Sequence, residues 1–281
     1  VLDHLDACAR VRGKAFETFR RSAWTEEAIH IDLCDAEWRV VRITPHGWSV
    51  VKAPHVKLLR SPGSRPLPAP EGGYEITELG RFLNLETEDD LMLVACWAVA
   101  ALAGKRPYPI LTISGEQGSA KSVGTRVLRT LVDPHALPHR ALPETDRELA
   151  IAARNTHVLA FDNVSSIRLA TSDALCRLAT GGGFATRKLH TDADEILIFT
   201  ANPVVMNGIP ELASRPDLAD RCIALHLPRI PEERRRPEEA FWEEFAFWHP
   251  RILGTLCDAL ARMLAGLAEV HLPTLPRMAD F

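Results

Sequence analysis

The stretch from Tyr108 to Ser122 constrains the fold of this chain more than any other. It opens with an apolar run, 109–114, that is too short for a helix and predicts a buried strand. The next residues read Gly-Glu-Gln-Gly-Ser-Ala-Lys-Ser, and apolar residues then recur at helical spacing over 123–131. A strand, a glycine loop ending in Lys-Ser and a helix, in this order, predict a phosphate-binding loop rather than a glycine turn before an ordinary helix.

Residues of this loop are expected to bind a nucleoside triphosphate. Backbone N–H groups of the loop and of the helix N-terminus can point at phosphate oxygens. Lys121 would neutralise the β- and γ-phosphates, and the hydroxyl of Ser122 would ligate Mg²⁺. Ala120 stands where a glycine is usual, and alanine can approach a phosphate closely if its φ is negative. The sequence thus predicts ATP and Mg²⁺ as cofactors, with a nucleotide site formed by Gly115, Glu116, Gln117, Gly118, Ser119, Ala120, Lys121, Ser122 and Val123.

A second apolar run begins at Thr156 and predicts a strand that ends in Asp162. In a phosphate-loop ATPase, the carboxylate at this place faces the Mg²⁺ shell and holds its water. The alternative is a strand that merely ends in a polar turn. The next residue is Asn163, where many such ATPases carry an acid that activates water. An amide does not accept that proton, so either Asp162 serves both roles or the base comes from elsewhere.

Two asparagines and two arginines further along the chain are candidates for catalytic roles. Asn207 ends an apolar run and could lie between the two strands of the phosphate site, where it would orient the attacking water; Asn202 competes for that role. Arg215 and Arg221 come just before another apolar run and have acidic neighbours. They form either surface ion pairs or, in an oligomer, a contact with the γ-phosphate of a neighbouring subunit.

Residues 184–199 read as two strands joined by a turn near 191–194. This interpretation brings Arg187, Lys188 and His190 close to the tip of a hairpin. Cationic side chains on a projecting hairpin suit contact with a phosphate backbone, and the alternative is a solvated charged turn. The local sequence leaves both possibilities open.

The remaining sequence predicts the organisation of the chain. Residues 1–22 show helical character and carry five basic residues, which indicate a solvated face or, less favoured, a DNA contact. Three β-type runs then predict a small antiparallel meander. Near the other end, Arg234-Arg-Arg236 is expected to be solvated, and an apolar stripe from Phe241 to Leu264 predicts a packed helix. The predicted divisions are a helix plus β-rich region at 1–60, a linker at 61–75, helices at 76–104, an ATPase core at 105–230 and a C-terminal helical segment at 231–281.

Composition excludes several classes of protein. The formal net charge is −4, so any nucleic-acid site must be a local patch. No apolar run is long enough to span a membrane, and no signal peptide is visible. The six cysteines include no Cys-x-x-Cys pair, which indicates reduced thiols in a cytoplasmic protein rather than disulfides or a zinc site.

The order of these parts resembles a known family. The segments that carry the resemblance are 115–122, 159–163, 175–187, 206–209 and 215–221. Together they are similar to ATP-binding proteins of phages and integrated mobile elements, which are related to superfamily 3 helicases of the AAA+ class. The resemblance implies an α/β ATPase core with a parallel sheet. It further implies that Asn207 is a sensor residue. It implies that the arginine finger is Arg221 or, as second choice, Arg215. It also implies that the hairpin lines the pore of a homo-oligomeric ring.

The resemblance favours an ATP-driven DNA helicase or translocase whose hairpin grips one DNA strand. Asn163 keeps a second hypothesis open: an ATP-binding switch or assembly module with little or no hydrolysis. A small-molecule kinase is disfavoured, because it explains neither the sensor asparagine nor the segment 215–221. Residues 1–75 show no primase motif, so the resemblance does not extend to priming activity.

Overall fold

The computed structural model describes residues 2–52, 55–187, 195–208, 213 and 215–271. The helices are α1 (Leu2–Arg12), α2 (Glu88–Ala103), α3 (Lys121–Val132), α4 (Asp146–Arg154), α5 (Leu169–Thr180), α6 (Pro216–Ala219) and α7 (Glu238–Gly266). The strands are β1 (Thr18–Phe19), β2 (Ser22–Trp24), β3 (Ile29–Asp32), β4 (Arg39–Thr44), β5 (Gly47–Lys52), β6 (Lys57–Leu58), β7 (Ile110–Gly115), β8 (Leu159–Val164), β9 (Gly183–Arg187), β10 (Glu195–Phe199), β11 (Val204–Gly208) and β12 (Cys222–Leu227).

A four-stranded parallel sheet in the order β12-β7-β11-β8 forms the centre of the larger part of the chain. Its strands are almost continuously apolar, as strands covered on both faces require. Leu111 of β7 pairs with Val205 of β11 on one side and with Ile223 of β12 on the other. The prediction of a mixed α/β fold with a parallel sheet is therefore confirmed.

The N-terminal region contains an antiparallel sheet in the order β2-β3-β4-β5. The predicted meander is confirmed, and β2 adds a strand that the sequence analysis did not identify. The prediction of a helix over 1–22 was wrong beyond Arg12. Gly13 follows the helix and its N–H donates to the carbonyl of Ala9 at 2.8 Å, which closes the last turn as glycine commonly does. Residues 18–19 instead form β1, which pairs with β6 in parallel.

The two sheets share one hydrophobic core. A single cluster of buried side chains includes Ile31 and Val41 from the antiparallel sheet, Leu111 from the parallel sheet, Trp97 from α2 and Ile252 from α7. Most of the stripe predicted along the last helix packs into this cluster, as expected. No helix among the residues described is both long and apolar enough to cross a membrane.

The predicted linker has no regular structure but is hydrogen-bonded to its surroundings. The N–H of Leu67 donates to the carbonyl of Leu33 at 2.9 Å, and Leu67 itself is buried. The N–H of Glu71 donates to the carbonyl of Pro250 in α7, also at 2.9 Å. These bonds attach the segment to both the N-terminal sheet and the last helix.

A buried ion-pair network connects the N-terminal region to the part of the chain that contains the parallel sheet. Nε of Arg21 donates to Oδ1 of Asp133 at 2.9 Å, and both side chains are almost fully buried. Oδ2 of Asp133 accepts from the backbone N–H groups of His157 and Val158 at 3.1 and 3.0 Å. Burial opposes ionisation of Asp133, but the positive charges of Arg129 and Arg21 outweigh it and lower the pKa of this carboxyl.

His249 of α7 makes folding stability depend on pH. It is buried and stacks on Phe245, with ring centroids 5.2 Å apart. Burial lowers the pKa of His249 to about 4, whereas the unfolded chain has an ordinary histidine pKa of about 6.5. Between pH 6.5 and pH 4, His249 therefore stays neutral in the folded state, whereas the same side chain takes up a proton in the unfolded state. This contribution to stability is complete above pH 6.5 and is lost as pH falls towards 4, by about 3 kcal/mol in total.

We expect His249→Phe to flatten the decline of the unfolding free energy between pH 7 and pH 4.5, measured by urea denaturation at a series of pH values. A matched His46→Gln variant, at an exposed histidine, should keep the slope of the parent. An unchanged slope in His249→Phe would contradict the assignment.

Candidate functional site

Residues 115–122, called the glycine loop below, join the end of β7 to the start of α3. Gly115 has φ +149°, and a Cβ there would lie 2.5 Å from the carbonyl oxygen of Leu227. Gly118 has φ +85°, in the region that favours glycine. Both glycines are thus required by the backbone of the loop.

Ala120 departs from the conformation expected of it. Its φ is +64° and its ψ is 27°, which is left-handed helical geometry, so the negative φ on which a close approach to phosphate was made conditional is not present. The chain must turn sharply at this position to enter α3, and glycine meets that demand without a Cβ clash. An alanine in this geometry costs roughly 1–2 kcal/mol.

We therefore expect Ala120→Gly to raise the free energy of unfolding by about 0.5–1 kcal/mol, since the relief of strain exceeds the added entropy of the unfolded chain. Ala259→Gly, within α7, is the matched control and should lower it by about 1 kcal/mol. Chemical denaturation measures both changes. Equal destabilisation by the two substitutions would show that Ala120 is not strained.

Lys121 and Ser122 begin α3 and face different surroundings. Nζ of Lys121 donates to the carbonyl oxygens of Gly115 at 2.5 Å and Glu116 at 2.7 Å, so the ammonium lies against the backbone of its own loop. Ser122 is exposed in the first turn of the helix. Both side chains are at the carboxyl edge of the parallel sheet, where the loop leaves β7.

Asn207 connects the elements that the sequence analysis placed around the phosphates. Its strand, β11, lies between β7 and β8 in the sheet. Nδ2 of Asn207 donates to Oδ1 of Asp162 on β8 at 2.7 Å and to Oγ1 of Thr125 on α3 at 2.8 Å. Asn207 is almost fully buried, which makes its orientation well determined. The structure thus brings Asn207 and Asp162 together, beside the helix that follows the glycine loop.

A β-bulge shapes this contact. The pairing of β11 with β8 shifts register between Met206 and Gly208. The extra residue is on β8, where Asp162 and Asn163 are opposite the single residue Asn207. Within this bulge Asn163 has φ +54°, a region that asparagine tolerates better than most residues. Its backbone N–H donates to Oδ1 of Asn207 at 3.1 Å, while the residue itself is exposed. The asparagine at 163 therefore suits the backbone geometry that positions Asn207.

His139 is a neighbour of Asp162 that the sequence analysis missed. Its Nε2 lies 3.6 Å from Oδ2 of Asp162, and its Nδ1 has no hydrogen-bond partner among the residues described. The next residue, Arg140, bridges to Phe161 of β8, which holds the segment beside the strand. No periodicity or motif surrounds His139, so the sequence carries no signal for this contact.

Asn202 lies at the other end of β11, just before the strand begins. Its Nδ2 donates to the backbone carbonyl oxygens of Ala153, Thr156 and His157 at 2.9–3.1 Å, and its Oδ1 accepts from Thr200. The amide is buried and occupied by these bonds. The geometry therefore places Asn207, and not Asn202, against Asp162.

Arg215 and Arg221 flank α6. Nη1 of Arg215 donates to Oδ1 of Asp173 on α5 at 2.7 Å, and Nη1 of Arg221 donates to the carbonyl of Asp217 at 2.6 Å. The carbonyl of Arg221 accepts from the N–H of Ile110 at 2.8 Å, so Arg221 lies at the amino edge of the parallel sheet. That edge is opposite to the glycine loop.

A cleft of about 1130 Å³, called the loop cleft below, opens beside the glycine loop. Its apolar lining includes Leu83, Val123, Ile230 and Phe241. The chain after β12 crosses the loop, because the N–H of Ile230 donates to the carbonyl of Gly118 at 3.2 Å.

The loop cleft is also rich in arginine. Arg81, Arg229, Arg234, Arg235 and Arg236 line it. Residues 234–236 are exposed, as expected of a solvated segment, yet they border the cleft. The sequence gives no signal for this placement, since a run of charged residues does not indicate which part of the fold it borders.

The hairpin predicted around residues 191–194 is described only in its strands. β9 and β10 pair antiparallel, with Arg187 opposite Glu195 at the described end. Lys188 and His190 lie outside the described residues, as does the side chain of Arg187. The interpretation of these three residues as a DNA contact stays a prediction.

The residues near the glycine loop fit a Mg²⁺ ion that arrives with a nucleotide. A hydroxyl at Ser122 and a carboxylate at Asp162 are oxygen donors, which Mg²⁺ prefers. No group of three or more His, Cys, Asp or Glu side chains within the described ranges is arranged to hold a metal alone. Such a donor set agrees with an ion bound by one carboxylate together with phosphate oxygens.

Comparison with known families shows which family the chain belongs to. Residues 76–281 match the family described as the actinomycete integrative conjugative element replication protein. The chain belongs to this family. The matched region of this mobile-element replication protein contains the whole glycine loop and all four strands of the parallel sheet. No curated protein matches the sequence.

Two solved structures illustrate what this replication protein resembles. The A-form apo structure of the NrS-1 C-terminal region has a TM-score of 0.49 and 13% identity, and covers 97% of this chain and 61% of that chain. A JCV helicase structure has a TM-score of 0.42 and 11% identity, and covers 70% of this chain and 61% of that one. This chain therefore spans about three-fifths of the length of each of these two solved chains.

Proposed function

We propose that this replication protein is an ATP-driven DNA helicase or translocase that acts as a homo-oligomeric ring. The observation that supports it most is the pair of bonds from Asn207 to Asp162 and to Thr125. These bonds join the acidic strand to the helix of the glycine loop, at the edge of a parallel sheet where ligands commonly bind. A polar residue buried between a carboxylate and a phosphate loop suits the positioning of a water for attack on phosphorus.

The glycine loop would bind the phosphates of ATP. Its N–H groups and the N-terminus of α3 attract anions. The ammonium of Lys121 now bonds two neutral carbonyl oxygens, and charged phosphate oxygens are stronger acceptors for it. The apolar side of the loop cleft, at Leu83, Ile230 and Phe241, offers a surface for the purine ring. Phosphates and base would thus occupy adjacent parts of one cleft.

Ser122 and Asp162 would hold Mg²⁺, and Asn207 fixes the orientation of the carboxylate. Bound Mg²⁺ neutralises charge on the transferred phosphoryl group. Because Asn163 has no basic group, the proton of the attacking water would pass to Asp162 or to His139, whose Nε2 lies 3.6 Å away from that carboxylate. Either residue satisfies the requirement for a titratable group within reach.

The arginine-finger role requires a second copy of the chain. β7 spans six residues, about 20 Å, between the amino edge, where Arg221 lies, and the glycine loop. Arg221 is therefore too far to act on its own nucleotide, and we propose that it, or second to it Arg215, acts on the nucleotide of a neighbouring subunit. An arginine finger supplied by a neighbouring subunit raises the rate of hydrolysis by a factor of about 10³–10⁵.

DNA would be gripped by the β9–β10 hairpin through Arg187, Lys188 and His190. Cationic groups at that place would supply local positive charge for a phosphate backbone on a chain of net charge −4. Single-stranded DNA is the expected partner, since a ring of hairpins encircles one strand.

The alternative function is an ATP-binding switch with little or no hydrolysis. The exposed amide of Asn163, where an acid is usual, is the observation that favours it.

Steady-state ATP hydrolysis, measured with and without single-stranded DNA for the parent and for Lys121→Ala, tests the proposal. A motor gives hydrolysis that DNA stimulates and that the substitution abolishes. Binding of ATP without turnover, with or without DNA, would favour the switch. Hydrolysis that persists in Lys121→Ala would contradict both, because both place the phosphates on this loop.

A further inference from the structure

A second cleft, of about 390 Å³, opens at the amino edge of the parallel sheet and is called the amino-edge cleft below. It lies between β1, the end of α4 and the end of β10. Tyr108 and Asn202, which come just before β7 and β11, form its floor. The cleft is thus separated from the glycine loop by the length of the sheet, and the nucleotide site leaves it unused.

The charges of the amino-edge cleft are suited to an anion. Arg20 and Arg154 line it, and none of its described lining residues is Asp or Glu. Within the described part of the chain, neither guanidinium forms an ion pair or a side-chain hydrogen bond. Burial lowers the pKa of Arg20, and the nearby positive charge of Arg154 lowers it further. The negative charge of Asp133 opposes this lowering, but Asp133 is already paired with Arg21 and Arg129. Two like charges facing one cleft therefore favour a bound anion.

Aromatic and basic side chains continue this surface beyond the cleft. Phe199 lines the cleft and is 75% exposed. Phe16 is 58% exposed, and the ammonium groups of Lys14 and Lys57 each lie 5.5 Å from its ring centroid. Lys57 is opposite Thr18 in the β1–β6 pair, and Thr18 lines the cleft, so the two aromatic positions belong to one surface.

Exposed aromatic rings interleaved with cations are the combination that binds single-stranded nucleic acid, through base stacking and contacts with the backbone. A small anion such as phosphate would use the two arginines but would leave both rings without a role. A duplex would use the cations but would not offer unstacked bases to the rings.

We infer that the amino-edge cleft and the Phe16 surface bind single-stranded DNA, with phosphates at Arg20 and Arg154 and bases against Phe199 and Phe16. The inference rests on the proposed function only in naming DNA as the nucleic acid. It gives a role to two of the basic residues near the N-terminus, Lys14 and Arg20, which the nucleotide site does not use. It also gives the DNA strand a contact away from the tip of the β9–β10 hairpin, at the hairpin base where Phe199 lies and at the sheet edge opposite to the nucleotide.

Fluorescence anisotropy with labelled oligo-dT, over a series of salt concentrations and without nucleotide, tests this. Arg154→Ala should weaken binding several-fold and reduce the slope of log K against log salt by about 0.7, the value for one phosphate contact with a single strand. Phe199→Ala should weaken binding about 5- to 100-fold, as loss of one stacking contact does, without changing the salt slope. Arg147→Ala, at an exposed arginine in the first turn of the same helix as Arg154, is the matched control and should bind as the parent does.

Circular dichroism confirms that each variant is folded before binding is compared. Parent-like affinity in both Arg154→Ala and Phe199→Ala would overturn the inference. So would an equal loss in Arg147→Ala, which would indicate a diffuse charge effect. Loss in Arg154→Ala alone, matched by a loss of affinity for inorganic pyrophosphate, would replace it with a simple anion site. The affinity of the parent for ATP is measured separately, so failure of the nucleotide site and failure of this cleft are distinguishable.

Discussion

Asp133→Ala is expected to lower the free energy of unfolding by about 3–5 kcal/mol. The carboxylate is buried, and removing it leaves the guanidinium groups of Arg21 and Arg129 without compensation. The backbone N–H groups of His157 and Val158 lose their acceptor as well. The total free energy of unfolding of an ordinary domain is only about 5–15 kcal/mol, so this single substitution removes a large part of the stability.

Chemical denaturation of Asp133→Ala measures the loss, with Glu86→Ala, an exposed acid, as the control that should stay within about 0.5 kcal/mol of the parent. If Asp133→Ala does not fold, the double-mutant cycle of Arg21→Ala with Asp133→Asn gives the coupling of the pair. A coupling near zero would contradict the assignment of a connection between the N-terminal region and the core.

Asp162→Asn is expected to reduce ATP turnover by about 100-fold or more while leaving the fold intact. The substitution keeps an oxygen that can accept from Nδ2 of Asn207 but removes the negative charge offered to Mg²⁺. A metal ion contributes several kcal/mol of charge stabilisation in the transition state, and a factor of 100 corresponds to about 2.7 kcal/mol. The measurement is the steady-state rate at saturating ATP and Mg²⁺.

Asp35→Asn, at the turn between β3 and β4, is the control for Asp162→Asn and should keep the rate of the parent. Thermal unfolding of Asp162→Asn should resemble that of the parent, because the carboxylate is partly exposed. A rate that is unchanged in Asp162→Asn would remove this residue from the site.

The sequence predicted the elements that local patterns determine. A short apolar run followed by Gly115 and Lys121 predicted β7 and α3, because strand, turn and helix each leave a local signal. Its place at the end of an apolar run made Asn207 a candidate beside Asn202, and the resemblance favoured Asn207. That Asn207 lies against Asp162 follows from the order of strands in the sheet. Which residues meet across the sheet depends on pairing that no single segment contains.

The features that the sequence did not predict depend on long-range geometry. The left-handed φ of Ala120 follows from how the loop enters α3, not from the residue type. His139 reaches Asp162 because a segment of irregular backbone runs beside β8. The charged run at Arg234–Arg236 borders the loop cleft because the chain after β12 crosses the glycine loop. None of these contacts has a periodicity or a motif.

Isothermal titration calorimetry of ATP in the presence of Mg²⁺, with the parent and with Lys121→Ala, tests the central claim most directly. The proposal predicts saturable binding by the parent, at one site in each chain, and an affinity about 10- to 100-fold lower in Lys121→Ala, the loss expected for a hydrogen bond between charged groups. A folded parent protein that binds neither ATP nor ADP, or that binds them equally well without the lysine, would contradict it.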